Sequence, residues 1–213
     1  MIHRVVAIDG PAASGKSSVA RALAQRLGFA YVNSGAMYRA TTWYILQRGV
    51  DPRDASLVAA VAERAPIVCA LDSNESQIEI EGVNPAPHLH DEPVNQAVSI
   101  VSSVPRLREI LGERMRAFAR EHDLVIEGRD IGSIVFPDTP FKFYIDASPE
   151  VRLQRRAAQG FLDEIAARDR ADSSRATAPL VVAPDAEVID SSDLTIESVV
   201  DEMVRRLEAK GLH

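Results

Sequence analysis

Residues 10–17 read GPAASGKS. A glycine, four residues, then Gly-Lys-Ser is the spacing of a phosphate-binding loop, and the chemistry it serves is that of a nucleoside triphosphate. Each residue type has a physical task. Gly10 and Gly15 permit backbone conformations and close approaches that a side chain would block. The N–H groups of the loop then turn toward the phosphates, reinforced by the N-terminus of a following helix. Lys16 reaches the β- and γ-phosphates, and the Ser17 hydroxyl is placed to ligate Mg²⁺. The ATP-binding set is therefore Gly10, Pro11, Ala12, Ala13, Ser14, Gly15, Lys16, Ser17 and Ser18, with Ser17 as the metal-ligating residue. The segment N-K-x-D, with which GTPases read guanine, does not occur. A kinase of a small acceptor and an ATP-dependent switch both remain open at this point.

Three further segments combine arginine with carboxylate and hydroxyl: NSGAMYRA (33–40), EGRDIGSIVFPD (127–138) and RDRADSSRATAPL (168–180). They read as loops after predicted strands. Ligands of open α/β sheets sit outside the carboxyl ends of the strands, so a second anionic ligand beside ATP is expected. Of the 24 cationic side chains 21 are arginine, and Lys16, Lys142 and Lys210 are the lysines. Arg114, Arg116 and Arg120 read as solvated helix-surface charges. His88 and His90, with Asp91 beside them, stand without further ligand types nearby and read as a loop rather than a metal site.

The elements that must position these residues follow from periodicity. Residues 4–9 read as a buried strand, and Val19, Leu23 and Leu27 mark a helix that Gly28 stops. Residues 29–32 are a second strand, and helices follow over about 35–47 and 54–64. Two β-prone runs flank the turn-rich DSNES within 67–83, which predicts a hairpin and an inserted lobe. Cys69 lies there and reads as a buried, inert thiol. Helices are predicted over 93–103, 105–120 and 149–158, and strands over 123–128, 141–146 and 186–190. Ile196, Val199, Val200, Met203, Val204 and Leu207 form the apolar stripe of a last helix, ended by Gly211. Strands alternating with helices predict a parallel sheet covered on both faces. The chain of 213 residues, 46% hydrophobic and 26% charged, suits one large α/β domain. A net charge of −7 disfavours non-specific nucleic-acid or acidic-membrane binding. With no apolar stretch of spanning length, a cytoplasmic protein is expected.

These motifs resemble those of the bacterial cytidylate kinases, members of the nucleoside monophosphate kinase family. The resemblance rests on IDGPAASGKSS, NSGAMYRA, VPRLRE, EGRDIGSIVFPD, KFYIDASPEVRLQRR, RDRADSSRATAPL and AEVIDSS, and covers nearly the whole chain. It implies a three-layer α/β/α kinase, with a core of about 1–32, 123–156 and 172–213. An acceptor-binding lobe would span about 33–120 and a short lid about 157–171. It implies transfer of phosphoryl from MgATP to CMP or dCMP by a monomer. By the same resemblance Ser34, Tyr38, Arg39, Ser99, Arg108, Arg129, Asp130, Arg168, Asp172 and Arg175 bind CMP. Within that set Ser99, Arg108 and Asp130 read cytosine, and Arg129, Arg168 and Arg175 join Lys16 in catalysis. Arg155 and Arg156 resemble lid arginines that close over the transferring phosphate. One feature departs from the family pattern: 11 residues separate Arg156 from Arg168, a short stretch for a lid. A lid of that size is expected to move less.

Overall fold

A computed structural model of the chain describes residues 3–158, 165–175 and 177–212, with residues 165–168 described as backbone only. Its elements are β1 (Val5–Asp9), α1 (Lys16–Leu27), β2 (Ala30–Asn33), α2 (Ser34–Gln47), α3 (Ala55–Arg64), β3 (Ile67–Asp72), β4 (Glu75–Ile80), α4 (Glu92–Val101), α5 (Pro105–Phe118), β5 (Leu124–Gly128), β6 (Phe141–Asp146), α6 (Pro149–Ala158), α7 (Ile165–Ser173), β7 (Glu187–Asp190) and α8 (Ile196–Ala209). The chain divides into two compact units, Met1–Val32 with His122–His213, and Asn33–Glu121.

In the first unit the strands lie in the order β2-β5-β1-β6-β7. β1 is flanked by β5 and β6 and runs parallel to both, with Ile8 opposite Glu127 and Phe143; β7 runs parallel to β6. Both β1 and β5 are buried along their whole length, which is why they read as unbroken apolar runs rather than alternating ones. Val6, Ile8, Val125, Phe143, Ile145 and Ile189 meet Val19 and Leu23 of α1 and Val199, Val200, Met203 and Leu207 of α8 in one core. The stripe foreseen on α8 is thus the packed face, except that Ile196, its first residue, is exposed. Gly28 ends α1 in the left-handed conformation that glycine adopts without strain. A turn of π-helix, Ile131–Val135, follows β5 and lacked any sequence signal.

In the second unit β3 and β4 form the expected antiparallel hairpin, Ile67 opposite Ile80 and Asp72 opposite Glu75. Ser73 and Asn74 both have positive φ, the type I′ geometry that a two-residue hairpin loop requires. One face of the hairpin is covered and the other is not, so Cys69 is half-buried rather than buried, a correction to its reading. Burial still pushes its thiol pKa up. Pro105 opens α5, where a missing N–H costs nothing. Arg114 corrects a second expectation: its guanidinium donates to Ile67 O (2.8 Å) and Ala65 O (3.2 Å), so it pins the base of the hairpin instead of lying solvated. Among the described residues no helix is long and apolar enough to cross a membrane.

Candidate active site

The phosphate loop occupies the turn between β1 and α1. Gly15 is the N-cap of α1, left-handed (φ 87°) and without any side-chain cap, so the first N–H groups of the helix keep their capacity for an anion. The carbonyls of the loop accept from Lys16 within it and from side chains outside it. Arg129 Nη1 donates to Gly10 O (3.0 Å), Lys16 Nζ to Pro11 O (2.9 Å) and Arg152 Nη1 to Ala12 O (3.2 Å). Ser14 O accepts from Arg155 Nη1 (3.2 Å) and from Ser191 Oγ (2.9 Å). Lys16 is buried, Ser17 and Ser18 are exposed, and among the described residues the buried Ser14 hydroxyl has no hydrogen-bond partner.

Beyond β5 the backbone delivers Arg129 and Asp130. Arg129 Nε donates to Asp172 Oδ2 (2.9 Å), and Asp172 Oδ1 also accepts from Arg175 Nη2. Arg129, Asp172 and Arg175 are therefore brought together, and Arg129 links them to Gly10. Asp130 is buried, and its carbonyl accepts from Ile134 and Val135 in the π-turn. Arg155 also reaches Ser191, donating to its Oγ (3.0 Å) and its carbonyl (2.6 Å), so its guanidinium lies behind the phosphate loop. Arg156 is half-buried on α6. The backbone of Arg168 lies in α7, but its side chain lies outside the described residues, as do residues 159–164 of the lid expected over about 157–171.

The remaining nominated residues belong to the second unit. Asn33 caps α2 by accepting from Ala36 N (3.0 Å), which starts the helix at Ser34. Ser34, Tyr38 and Arg39 are all buried on that helix. Arg39 is held by Leu89 O (2.8 Å) and Asn95 Oδ1 (2.7 Å). Arg108 donates to Ser102 O (2.9 Å) and lies over the Tyr38 ring at 5.2 Å, so these two are neighbours. Ser99 is half-buried on α4. His88 stacks on Trp43 and meets Asp91 (2.9 Å). Among the described residues no group of three His, Cys, Asp or Glu could hold a metal ion.

Several participants escaped the motif reading. Asp9, the residue before Gly10, accepts from Ile131 N and Gly132 N (both 2.8 Å) and so ties the end of β1 to the segment after Asp130. The buried Glu127 accepts from Tyr31 OH (3.0 Å). Asp169 bonds the loop itself at Ala12 N (3.0 Å). The signal for Asp9 was available, since an acid closing an apolar strand beside the loop is unusual; nothing local marks Tyr31 or Asp169.

Burial raises the Asp9 pKa from 3.8 to about 6; the two N–H bonds oppose this, neighbouring Asp130 adds to it, and Arg129 counters. A carboxyl that holds its proton more tightly folded than unfolded contributes stability that is complete below about pH 4. It loses that contribution as pH rises to about 6. A pKa raised that far is worth roughly 3 kcal/mol. The unfolding free energy of the wild type relative to Asp9→Asn should therefore fall by up to about that amount between pH 4 and 7. Denaturant titrations of both proteins at the two pH values check this, and a difference independent of pH would refute it.

The family model described as cytidylate kinase matches residues 6–209. The chain is 40% identical over 215 residues to a cytidylate kinase of Streptomyces avermitilis, covering 97% of this chain and 93% of that protein. It is 41% identical over 216 residues to a cytidylate kinase of Pelotomaculum thermopropionicum, covering 96% of each. Among solved structures, the crystal structure of TT1252 from Thermus thermophilus superimposes with a TM-score of 0.52 at 18% identity, covering 99% of this chain and 98% of that one, a likeness of fold.

Proposed function

The chain belongs to the cytidylate kinase family, and from that premise we propose how its residues share the work of phosphorylating CMP or dCMP with MgATP. A phosphate oxygen of the acceptor attacks the γ-phosphorus, the bond from that phosphorus to the β–γ bridging oxygen breaks, and ADP leaves. The attacking oxygen is already anionic, so no strong general base is needed. Catalysis then rests on positioning and on stabilising charge spread over the transferring group. The observation that carries this reading is the Arg129 guanidinium, which joins Gly10 of the ATP loop to Asp172 and Arg175.

Lys16, Arg129, Arg168 and Arg175 supply positive charge to the transferring phosphoryl group. Arg155 supports the loop from behind as well as serving the phosphates, and Arg156 completes the set on α6. Ser34, Tyr38 and Arg39 hold the acceptor phosphate, with Asp172 at its sugar. Asp130 accepts a hydrogen bond from the cytosine N4 amine and repels the uracil oxygen found in its place, while Ser99 and Arg108 face the O2 and N3 acceptors. The exposed Ser17 hydroxyl at the start of α1 fits Mg²⁺, a hard cation that takes oxygen ligands, and the phosphates and water would complete its shell. Bound there, the ion would neutralise charge on the β- and γ-oxygens. The protein is expected to act as a cytoplasmic monomer, without nucleic acid or membrane.

ADP release with MgATP and each of CMP, dCMP, UMP, AMP and dTMP tests the reading. Turnover is expected with CMP and dCMP. Asp130→Ala should narrow the preference for CMP over UMP by about a hundredfold, the cost of leaving polar groups of such a site unpaired. Equal turnover of UMP and CMP by the wild type would overturn the base-reading roles while leaving the kinase intact.

A further inference from the structure

Ala13 has φ 59°, a left-handed conformation that costs a residue with a Cβ and that glycine adopts without penalty. It stands in the middle of the phosphate loop, so something must hold it there. The peptides on either side of Ala12 are gripped by one ion pair. Asp169 Oδ1 accepts from Ala12 N (3.0 Å), and its Oδ2 accepts from Arg152 Nη1, which also donates to Ala12 O (3.2 Å). Fixing the Ala12 carbonyl fixes the plane of the Ala12–Ala13 peptide, and that plane sets φ of Ala13. On the far side the Ser14 carbonyl is held by Arg155 and Ser191. Asp169 and Arg152 are both largely shielded from solvent, so their attraction is little screened.

We propose that Asp169 is a positioning residue of the ATP site: with Arg152 it clamps the Ala12 peptides and keeps Ala13 left-handed, in the shape the phosphates require. The inference rests on the reading of this loop as the nucleotide site. It gives α7 two holds on the loop, since Asp172, one helical turn beyond Asp169, reaches Gly10 O through Arg129. The helix thereby links the residues proposed to bind the acceptor to the loop that binds the donor.

The test is a cycle with Ala13→Gly, because glycine needs no clamp to be left-handed. Titration calorimetry with MgADP on the full chain should show Asp169→Ala binding about tenfold more weakly than wild type, about 1.4 kcal/mol. Measured against an Ala13→Gly parent, the same substitution should cost about twofold or less. Asp169→Asn keeps an oxygen for the Ala12 N–H but no charge for Arg152, and should give a smaller loss that glycine at 13 also relieves. If Asp169→Ala does not fold by circular dichroism, Asp169→Asn in the two backgrounds carries the same comparison. Equal losses in both backgrounds, or none in either, would overturn the clamp alone. Folded wild type without affinity for MgADP would overturn the nucleotide reading and the clamp with it.

Discussion

Gly10→Ala should destabilise the protein by about 3–5 kcal/mol and lower its melting temperature by roughly 10 °C. A Cβ built at Gly10 falls 2.1 Å from the carbonyl oxygen of Ile145 and 3.1 Å from its carbon. The obstacle is backbone, and it belongs to β6, whose Phe143 and Tyr144 are in register with Ile8 and Asp9 of β1. Neither strand can retreat without breaking a buried parallel ladder, and Ile145 itself is sealed in the core. Against a total stability of about 5–15 kcal/mol, such a loss is a large fraction. Gly112→Ala is the matched comparison. Its Cβ would meet the movable guanidinium of Arg116 at 3.4 Å inside α5, where alanine is the better helix former by up to about 1 kcal/mol. Thermal melts of the two variants should move in opposite directions. A Gly10→Ala protein that melts with the wild type would refute the argument that close approach selects glycine here.

The contrast between those glycines shows what the sequence could and could not reveal. Gly10 was legible because its spacing to Gly15 and Lys16 is a local pattern. β1, β5 and the hairpin turn at Ser73–Asn74 were legible for the same reason: buried runs and turn residues act over a few positions. The wiring between segments was not. Ala12 and Asp169 are 157 positions apart, and nothing in either neighbourhood specifies the other. Arginine composition compounds this, because a guanidinium that pins a hairpin reads like one that is solvated; Arg114 is half-buried and bonded to the carbonyls of Ala65 and Ile67, whereas Arg120 is exposed. Cys69 misled for a different reason. The apolar run IVCAL reads as a buried strand, whereas the hairpin it belongs to has one covered face and leaves Cys69 half-buried. Asp9 lay in plain view within the motif, but its weight comes from two N–H groups of a π-turn that no periodicity announces.

The largest kinetic effect is expected at Lys16. Its ammonium is buried beside Pro11 O at 2.9 Å, so the loop itself fixes its position. Phosphoryl transfer spreads negative charge over the equatorial oxygens as the bond to ADP breaks, and a point charge held close is worth most at that moment. Lys16→Met keeps the length of the side chain and removes the charge, and should lower kcat by about a thousandfold or more. KM for CMP should change little, because the residues proposed for the acceptor are untouched. Lys16→Arg restores the charge without the shape. Its planar fork needs more room than a buried ammonium, so it should recover little activity, even in a chain whose cations are arginine at 21 of 24 positions. The lysine is then there because a compact charge is required, whatever else favours arginine elsewhere. Steady-state rates with saturating CMP, together with melts showing that both variants stay folded, decide the matter. A kcat within tenfold of wild type for Lys16→Met would remove Lys16 from the transition state.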